Sequence, residues 1–342
     1  MKRNWLISLL LFVTPLVFFS CSKDSSSTDL VGNWTQITEI KGVGRSGAVC
    51  FTIADSAYIG LGYNPTSNPK YLTDFYRYDY KNNKWKQIAS FPIAGRVNAV
   101  SFSVNNLGYV GTGHDGNDYK GDFYEYNPAT NIWRKVANMG TPAGLMRRGA
   151  TAFSIGNDGY VGTGYNGNYL SDFWKYTPNA DSGVWTEIAD IPFKRASAAS
   201  FVINNIGYVV TGERDGSYVN DFWKFDPASS NWTKLRDIAN TNTTESYDDN
   251  YNIVRSSAIA LTSNNLGYIT SGNSSGLRSD TWEYNPGTDL WTQKTGFEGT
   301  ARTEAVGFSL GNRIFVGTGR NGSSVWDDFW EFKPTETYDA YN

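Results

Sequence analysis

Apolar and polar side chains alternate in short runs along most of this chain, and between Gly95 and Trp133 they do so in a form that recurs elsewhere: GRVNAVSFSVNNLGYVGTGHDGNDYKGDFYEYNPATNIW. Val97 to Val104 alternates and meets a tight Asn105-Asn106 turn, and a second run ends in Gly111-Thr112-Gly113. A variable loop then leads to Asp122-Phe123-Tyr124, and the stretch closes on Asn131-Ile132-Trp133. Alternation with a period of two, bounded by turn residues, predicts strands with one face buried. Four short strands in a period near fifty residues are the signature of a propeller blade.

The register holds through six copies. An Arg opens each at positions 45, 96, 147, 195, 255 and 302, and seventeen residues later stands a glycine: Gly62, Gly113, Gly164, Gly212, Gly272 and Gly319. An aromatic falls thirteen after each Arg, from Tyr58 to Phe315, and an Ala three after it, from Ala48 to Ala305, with no gap in any copy. Together with the Asp-Phe-Trp and Asn-x-Trp elements, these positions resemble Kelch repeats over residues 32 to 334. The glycine pair closing the second strand stands as Gly-x-Gly in four copies and as a single Gly in the fourth and fifth. The resemblance implies an all-β, six-bladed propeller.

The last repeat lacks its final strand: eleven residues after Asp328, where other copies generally have Trp, stands Asp339. Residues 32–37, GNWTQI, look like a final strand with nothing before it, comparable to NKWKQI and NIWRKV. The strand around Trp34 is therefore expected to complete the sixth blade, closing the ring and removing an exposed sheet edge. One propeller is expected over residues 32–342, its first blade built mainly from residues 45–88.

Composition adds a compartment. Residues 1–20 read as an export leader, with Lys2 and Arg3 ahead of an apolar run from Trp5 to Phe19 that is too short to span a bilayer as a helix. Phe18-Phe19-Ser20-Cys21 resembles the lipobox of bacterial lipoproteins, which implies cleavage before Cys21, its lipidation, and residues 21–31 as lipidated Cys and flexible tether. The alternative is a plain secretory signal with an incidental Cys. The chain is then expected to be extracytoplasmic and held through the lipid alone on a bacterial membrane, the outer membrane being the expected one, facing either the periplasm or the outer surface. Cys50 is the other of two cysteines, so no structural disulfide is expected in the mature chain. The net charge of −3, about −5 without Lys2 and Arg3, gives no sign of nucleic-acid binding.

Loop lengths favour one face. The turns joining strands one to two and three to four are short and alike, such as Asn105-Asn106, Asn204-Asn205 and Asn264-Asn265, which suit hairpins needing positive φ. The opposite face gathers the variable two-three loops and the blade-to-blade connections, including an insertion at roughly 240–252, and function is sought there. Arg45, Arg96, Arg147, Arg195, Arg255 and Arg302, with Arg148 and Lys194 beside them, are candidates to encircle the channel mouth and hold an anion. The resemblance implies the same, since Kelch domains that bind acidic peptides use arginines here. A second reading stands beside it: a repeated Arg pairing with an Asp such as Asp74 or Asp122, or with backbone carbonyls.

Residues peculiar to one copy are the other candidates: His114, Asp115 and Asp118 after the second glycine, Glu213, Arg214 and Asp215 after the fourth, and Arg320, Asn321 and Trp326 after the sixth. Glu304, or Glu213, could act as general base or as a charge partner. Loop tyrosines such as Tyr63, Tyr119, Tyr165, Tyr169 and Tyr218 are of the kind that stack on sugars. No cofactor or metal is expected. Galactose oxidase, another Kelch-type propeller, needs two His for copper and this chain has only His114. The acidic run at 245–250 lacks the spaced ligands of a calcium loop. Two functions remain: a monomeric recognition module for a glycan, a small anionic sugar or a protein, and, by resemblance in fold, blade number and export, a mutarotase of the sialic-acid type using Glu304 or Glu213 with Arg214 or Arg302.

Overall fold

The computed structural model describes residues 30–141, 144–241, 247 and 251–340. Six four-stranded antiparallel sheets follow one another. The first blade is built from Val49–Ile53, Ser56–Gly60, Phe75–Asp79 and Lys84–Ile88, and the next four repeat that order. The sixth takes Val306–Leu310, Arg313–Gly317 and Phe329–Thr337, and its outermost strand is Val31–Gln36. Trp34 lies opposite Phe332 in that ladder and stacks on it at 4.6 Å between ring centroids. The defect at one end of the sequence thus completes the defect at the other.

Burial within a blade explains the sequence pattern. First strands alternate strictly, so Phe51 and Ile53 are buried while Cys50 and Thr52 are half exposed. Second strands are buried along nearly their whole length because they are sandwiched between neighbouring blades. That sandwich explains a small residue in the second strand: a side chain at Gly108 would collide with the ring of Phe51, one at Gly159 with Phe102, and one at Gly207 with Phe153, each from the preceding blade. The expected hairpins also form, with both Asn105 and Asn106 at positive φ, 52° and 62°, and both Asn204 and Asn205 likewise, 52° and 61°.

Hydrogen bonds tie each blade to the next. The repeated glycine donates its N–H to the carbonyl of the next blade's Arg, Gly62 to Arg96 at 2.8 Å and onward around the ring to Gly319, which reaches Arg45 at 2.8 Å. Outer-strand tryptophans add a second tie: Trp133 Nε1 donates to Ala89 O of the preceding blade at 2.9 Å, and Trp34 Nε1 to Thr295 O at 3.2 Å. These indoles are mostly buried, although Trp185 and Trp232 remain half exposed.

The leader, Cys21 and the tether up to residue 29 lie outside the described residues, as do 242–246 and 248–250 of the insertion, whereas Val31, expected in the tether, already pairs with Thr337 in the outer strand of the sixth blade. Where the insertion rejoins the fold, Tyr251 and Ile253 are buried, with Tyr251 against Trp282. Among the described residues no helix is long and apolar enough to cross a membrane.

Candidate functional site

The six arginines are the first correction. They do not encircle the mouth: each is at most 2 % exposed, and its guanidinium is consumed within its own blade. Arg147 is representative. Its Nη1 and Nη2 donate to Asp172 Oδ1 and Oδ2 at 2.7 and 2.6 Å, Nη1 also to Thr163 O at 2.9 Å, and Nε to Leu145 O at 3.3 Å. Arg45 pairs with Asp74, Arg96 with Asp122, Arg195 with Asp221, Arg255 with Asp280 and Arg302 with Asp328. Each Nη1 also reaches the carbonyl just before the repeated glycine. That residue and the glycine both have positive φ, for example Thr163 at 59° and Gly164 at 104°. A Cβ on Gly164 would lie 2.9 Å from the Arg148 carbonyl, so the turn presenting the carbonyl to the arginine excludes a side chain. Burial opposes ionisation of Asp74 and Asp280, but the hydrogen bonds and charge of their arginines prevail and hold both carboxyls below the usual carboxylate range. Five of the six guanidinium groups are bonded through Nε, Nη1 and Nη2, and Arg96 lacks only a partner for its buried Nε, so none presents a donor to a ligand at the mouth.

What surrounds the mouth is the variable neighbour of each repeated residue. The position after each glycine pairs, by an isolated antiparallel bridge, with the position after each arginine: Ser46 with Tyr63, Val97 with His114, Arg148 with Tyr165, Ala196 with Glu213, Ser256 with Asn273 and Thr303 with Arg320. One residue further on, Gly47, Asn98, Gly149, Ser197, Ser257 and Glu304 all take positive φ. Their backbones join blade to blade, Gly47 N–H to Glu304 O at 2.8 Å and Asn98 N–H to Gly47 O at 2.9 Å, continuing through Gly149 and Ser197 to Ser257. Repetition has fixed the backbone there and left the side chains free to differ.

Those side chains divide the mouth into two walls. Blades one to three supply aromatics: Tyr63 and Tyr71 at 5.2 Å, His114 and Tyr119 at 5.3 Å, and Tyr165 and Tyr169 at 5.1 Å. Blades four to six supply Glu213, which accepts from Ser256 Oγ at 3.3 Å, Asn273, which donates to Tyr218 Oη at 2.8 Å, and the pair Glu304–Arg320. Arg320 Nε and Nη2 reach the two Glu304 oxygens at 2.8 and 3.2 Å, and chiefly through that hydrogen bond the Arg320 pKa is raised. The exposed Arg148 faces Tyr119 and Tyr165, its guanidinium carbon 5.9 Å from each ring centroid. Among the described residues it has no carboxylate partner, so it is a cation held by ring faces with its donors open.

Comparison with known proteins decides the family. The KLHDC2/KLHL20/DRC7 Kelch-repeats domain matches residues 20–191, half of the chain. The chain belongs to the Kelch-repeat family. A solved Kelch-like fold, described as the structure of YjhT, superposes with a TM-score of 0.70 at 19 % identity, covering 86 % of this chain and 95 % of that one. No curated protein matches.

Within this Kelch propeller the single-copy candidates separate. His114, Glu213, Glu304 and Arg320 come together at the mouth, lining two cavities of about 440 Å³ each. Arg214 does not join them: it lies exposed on the Glu213–Tyr218 hairpin, over Phe193 at 5.9 Å and 3.8 Å from Asp215, beside a separate cavity of about 250 Å³. Trp326 is also elsewhere, half buried over the Arg302 guanidinium at 5.5 Å, with its carbonyl accepting from Arg45 N–H at 3.1 Å. Asp115 is drawn into an ion pair with Lys120 at 2.6 Å, and Lys194 is exposed outside both mouth cavities. Inspection of the sequence underrated Arg148, Asn273 and Tyr71. For Arg148 and Asn273 the signal was available, since positions that flank an invariant residue yet vary from copy to copy are where a repeat protein keeps its specificity. The axial channel beyond the mouth narrows to a space of about 200 Å³ walled by small residues such as Ala48, Ala99 and Ala150, with Cys50 among them. Although Cys50 is half exposed to the channel, desolvation in that narrow space pushes its thiol pKa up, which keeps it protonated at neutral pH.

Proposed function

We propose that this Kelch propeller is an extracytoplasmic, lipid-anchored recognition module whose mouth binds an acidic saccharide. The observation that carries the reading is Arg148, an arginine without a carboxylate partner among the described residues, framed by Tyr119 and Tyr165 and opening on cavities edged by Glu213, Asn273 and Glu304. A carboxylate meets the free guanidinium, ring hydroxyls meet the Glu213 carboxylate and the Asn273 amide, and a sugar face lies against tyrosine. The paired Glu304 and Arg320 largely cancel each other, so the attraction for an anion is local and falls with added salt.

Isothermal titration with N-acetylneuraminate, galacturonate and neutral galactose tests it. Binding of one acid, reduced about 10- to 100-fold by Arg148→Ala, corresponds to the 1.5–3 kcal/mol of a charge-assisted hydrogen bond. Equal affinity for galactose would refute the reading. Anchorage is tested by acylation of the expressed chain, which Cys21→Ser should abolish.

One observation favours a second reading, sugar mutarotation: two carboxylates, Glu213 and Glu304, edge the same cavity as Arg148. Opening a pyranose requires a proton added at the ring oxygen and another removed from the anomeric hydroxyl, and such a pair of groups could serve. Saturation-transfer NMR of anomer exchange, with Glu213→Gln as control, distinguishes an enzyme from a binder.

A further inference from the structure

The two mouth cavities are not copies of each other, although they share a wall made of Asn98, Arg148, Glu304 and Arg320. Beyond that wall one is edged by Tyr165, Tyr169, Ser197, Glu213 and Asn273, a polar lining with many hydrogen-bonding groups. The other is edged by Tyr63, Pro65, Tyr71, Val97 and Val325, an aromatic and aliphatic lining with His114 at its side. Each is of a size that holds one small molecule. A single sugar ring seated by Glu213 and Asn273 leaves the Tyr63–Tyr71 cavity empty, and one stacked on Tyr71 leaves the carboxylate and the amide without partners.

From this we infer that the mouth is built for an acidic glycan of at least two residues, a conclusion that rests on the saccharide reading above. One residue sits in the polar cavity, the next lies on the Tyr63–Tyr71 surface, and the acid group is held on the shared wall by Arg148. The tyrosine pair is suited to this, since its two rings are tilted by 59° and a pyranose face can lie against one ring while the other borders its edge. The loop carrying Pro65 is itself held: Asn64 Nδ2 donates to Gly44 O at 2.7 Å and its Oδ1 accepts from Thr66 N–H at 2.9 Å. The second cavity therefore has a fixed floor before any ligand arrives, which lowers the ordering cost of binding.

Titration calorimetry with two pairs of probes tests the inference: N-acetylneuraminate and its α2,8-linked dimer, and galacturonate and its α1,4-linked dimer. In whichever series binds, the dimer should bind at least tenfold tighter than the monomer, and Tyr71→Ala should bring dimer affinity down to the monomer's level. A thermal melt of the variant checks that the blade remains folded, and Tyr71→Phe should retain the dimer's advantage. A dimer no tighter than its monomer, or one indifferent to Tyr71→Ala, overturns the two-residue inference and leaves the saccharide reading standing. Failure of all four probes overturns both.

Discussion

Removing Asp172 should cost more than removing its buried partner Arg147, because the two ends of the pair differ in access to water. The arginine side chain is 2 % exposed and the aspartate side chain 21 %. In Asp172→Ala the guanidinium keeps only the carbonyls of Thr163 and Leu145 and stays in the interior as an uncompensated charge, at a cost of about 3–5 kcal/mol. In Arg147→Met the carboxylate keeps the Trp174 indole N–H at 2.9 Å and can draw water, so the cost is about 2 kcal/mol. The double variant removes both charges together and should cost about 2 kcal/mol less than the sum of the singles. An unfolding entropy of about 2.1 cal/mol/K per residue over about 310 residues makes a 4 kcal/mol loss worth about 6 °C in Tm. Equilibrium urea unfolding of the four proteins at pH 7, with reversibility checked by dilution, measures the cycle. Additivity within about 0.5 kcal/mol, or a larger loss from Arg147→Met than from Asp172→Ala, would refute the assignment of these arginines to the blade architecture.

Other outcomes follow from the same geometry. Arg148→Ala should leave the urea midpoint within error of the parent while weakening acidic-sugar binding, and a large stability loss would show that Arg148 belongs with the six buried arginines. The depressed Asp74 and Asp280 pKa values mean that these carboxylates contribute their full stability above their unfolded value, near pH 4, and lose it as pH falls further, so urea midpoints should decline only below about pH 4; midpoints that rise on acidification would contradict this. Trp34→Ala, which empties a fully buried site between Phe297 and Phe332, should cost about 3–5 kcal/mol by thermal or urea unfolding, and a near-neutral result would mean that the ring does not depend on its N-terminal strand.

The repeat made the fold legible. An unbroken spacing of seventeen residues from arginine to glycine is a backbone statement, and backbone is what the repeat shares. The same regularity misled about the site, since six arginines in register look like a ring of ligand donors until each is seen to have its aspartate 25 to 29 residues on, across the variable loop. His114, Glu213, Glu304 and Arg320 could be picked out because each is peculiar to its copy. Arg214 and Trp326 met the same criterion and failed it in space, because a β hairpin points alternate residues to opposite sides and a loop residue a few places further on lies out over the blade. Tyr71 lay too far from any repeated position for spacing to place it.

The seam between Val31–Gln36 and Phe329–Thr337 has a consequence in time. Nearly 300 residues separate the two strands. Loop closure over that length costs about 5 kcal/mol in chain entropy, so the seam is favoured only once the other blades have shortened the effective distance. Until the seam closes, the segment VGNWTQ lacks its ladder partner and the Trp34 side chain its buried site, which leaves the segment open to pairing with another copy of the chain. The chain's first strand is therefore expected to be placed after the blades it closes, and the yield of folded protein to depend on how well that segment is kept apart from its own kind until residues 329–337 reach it.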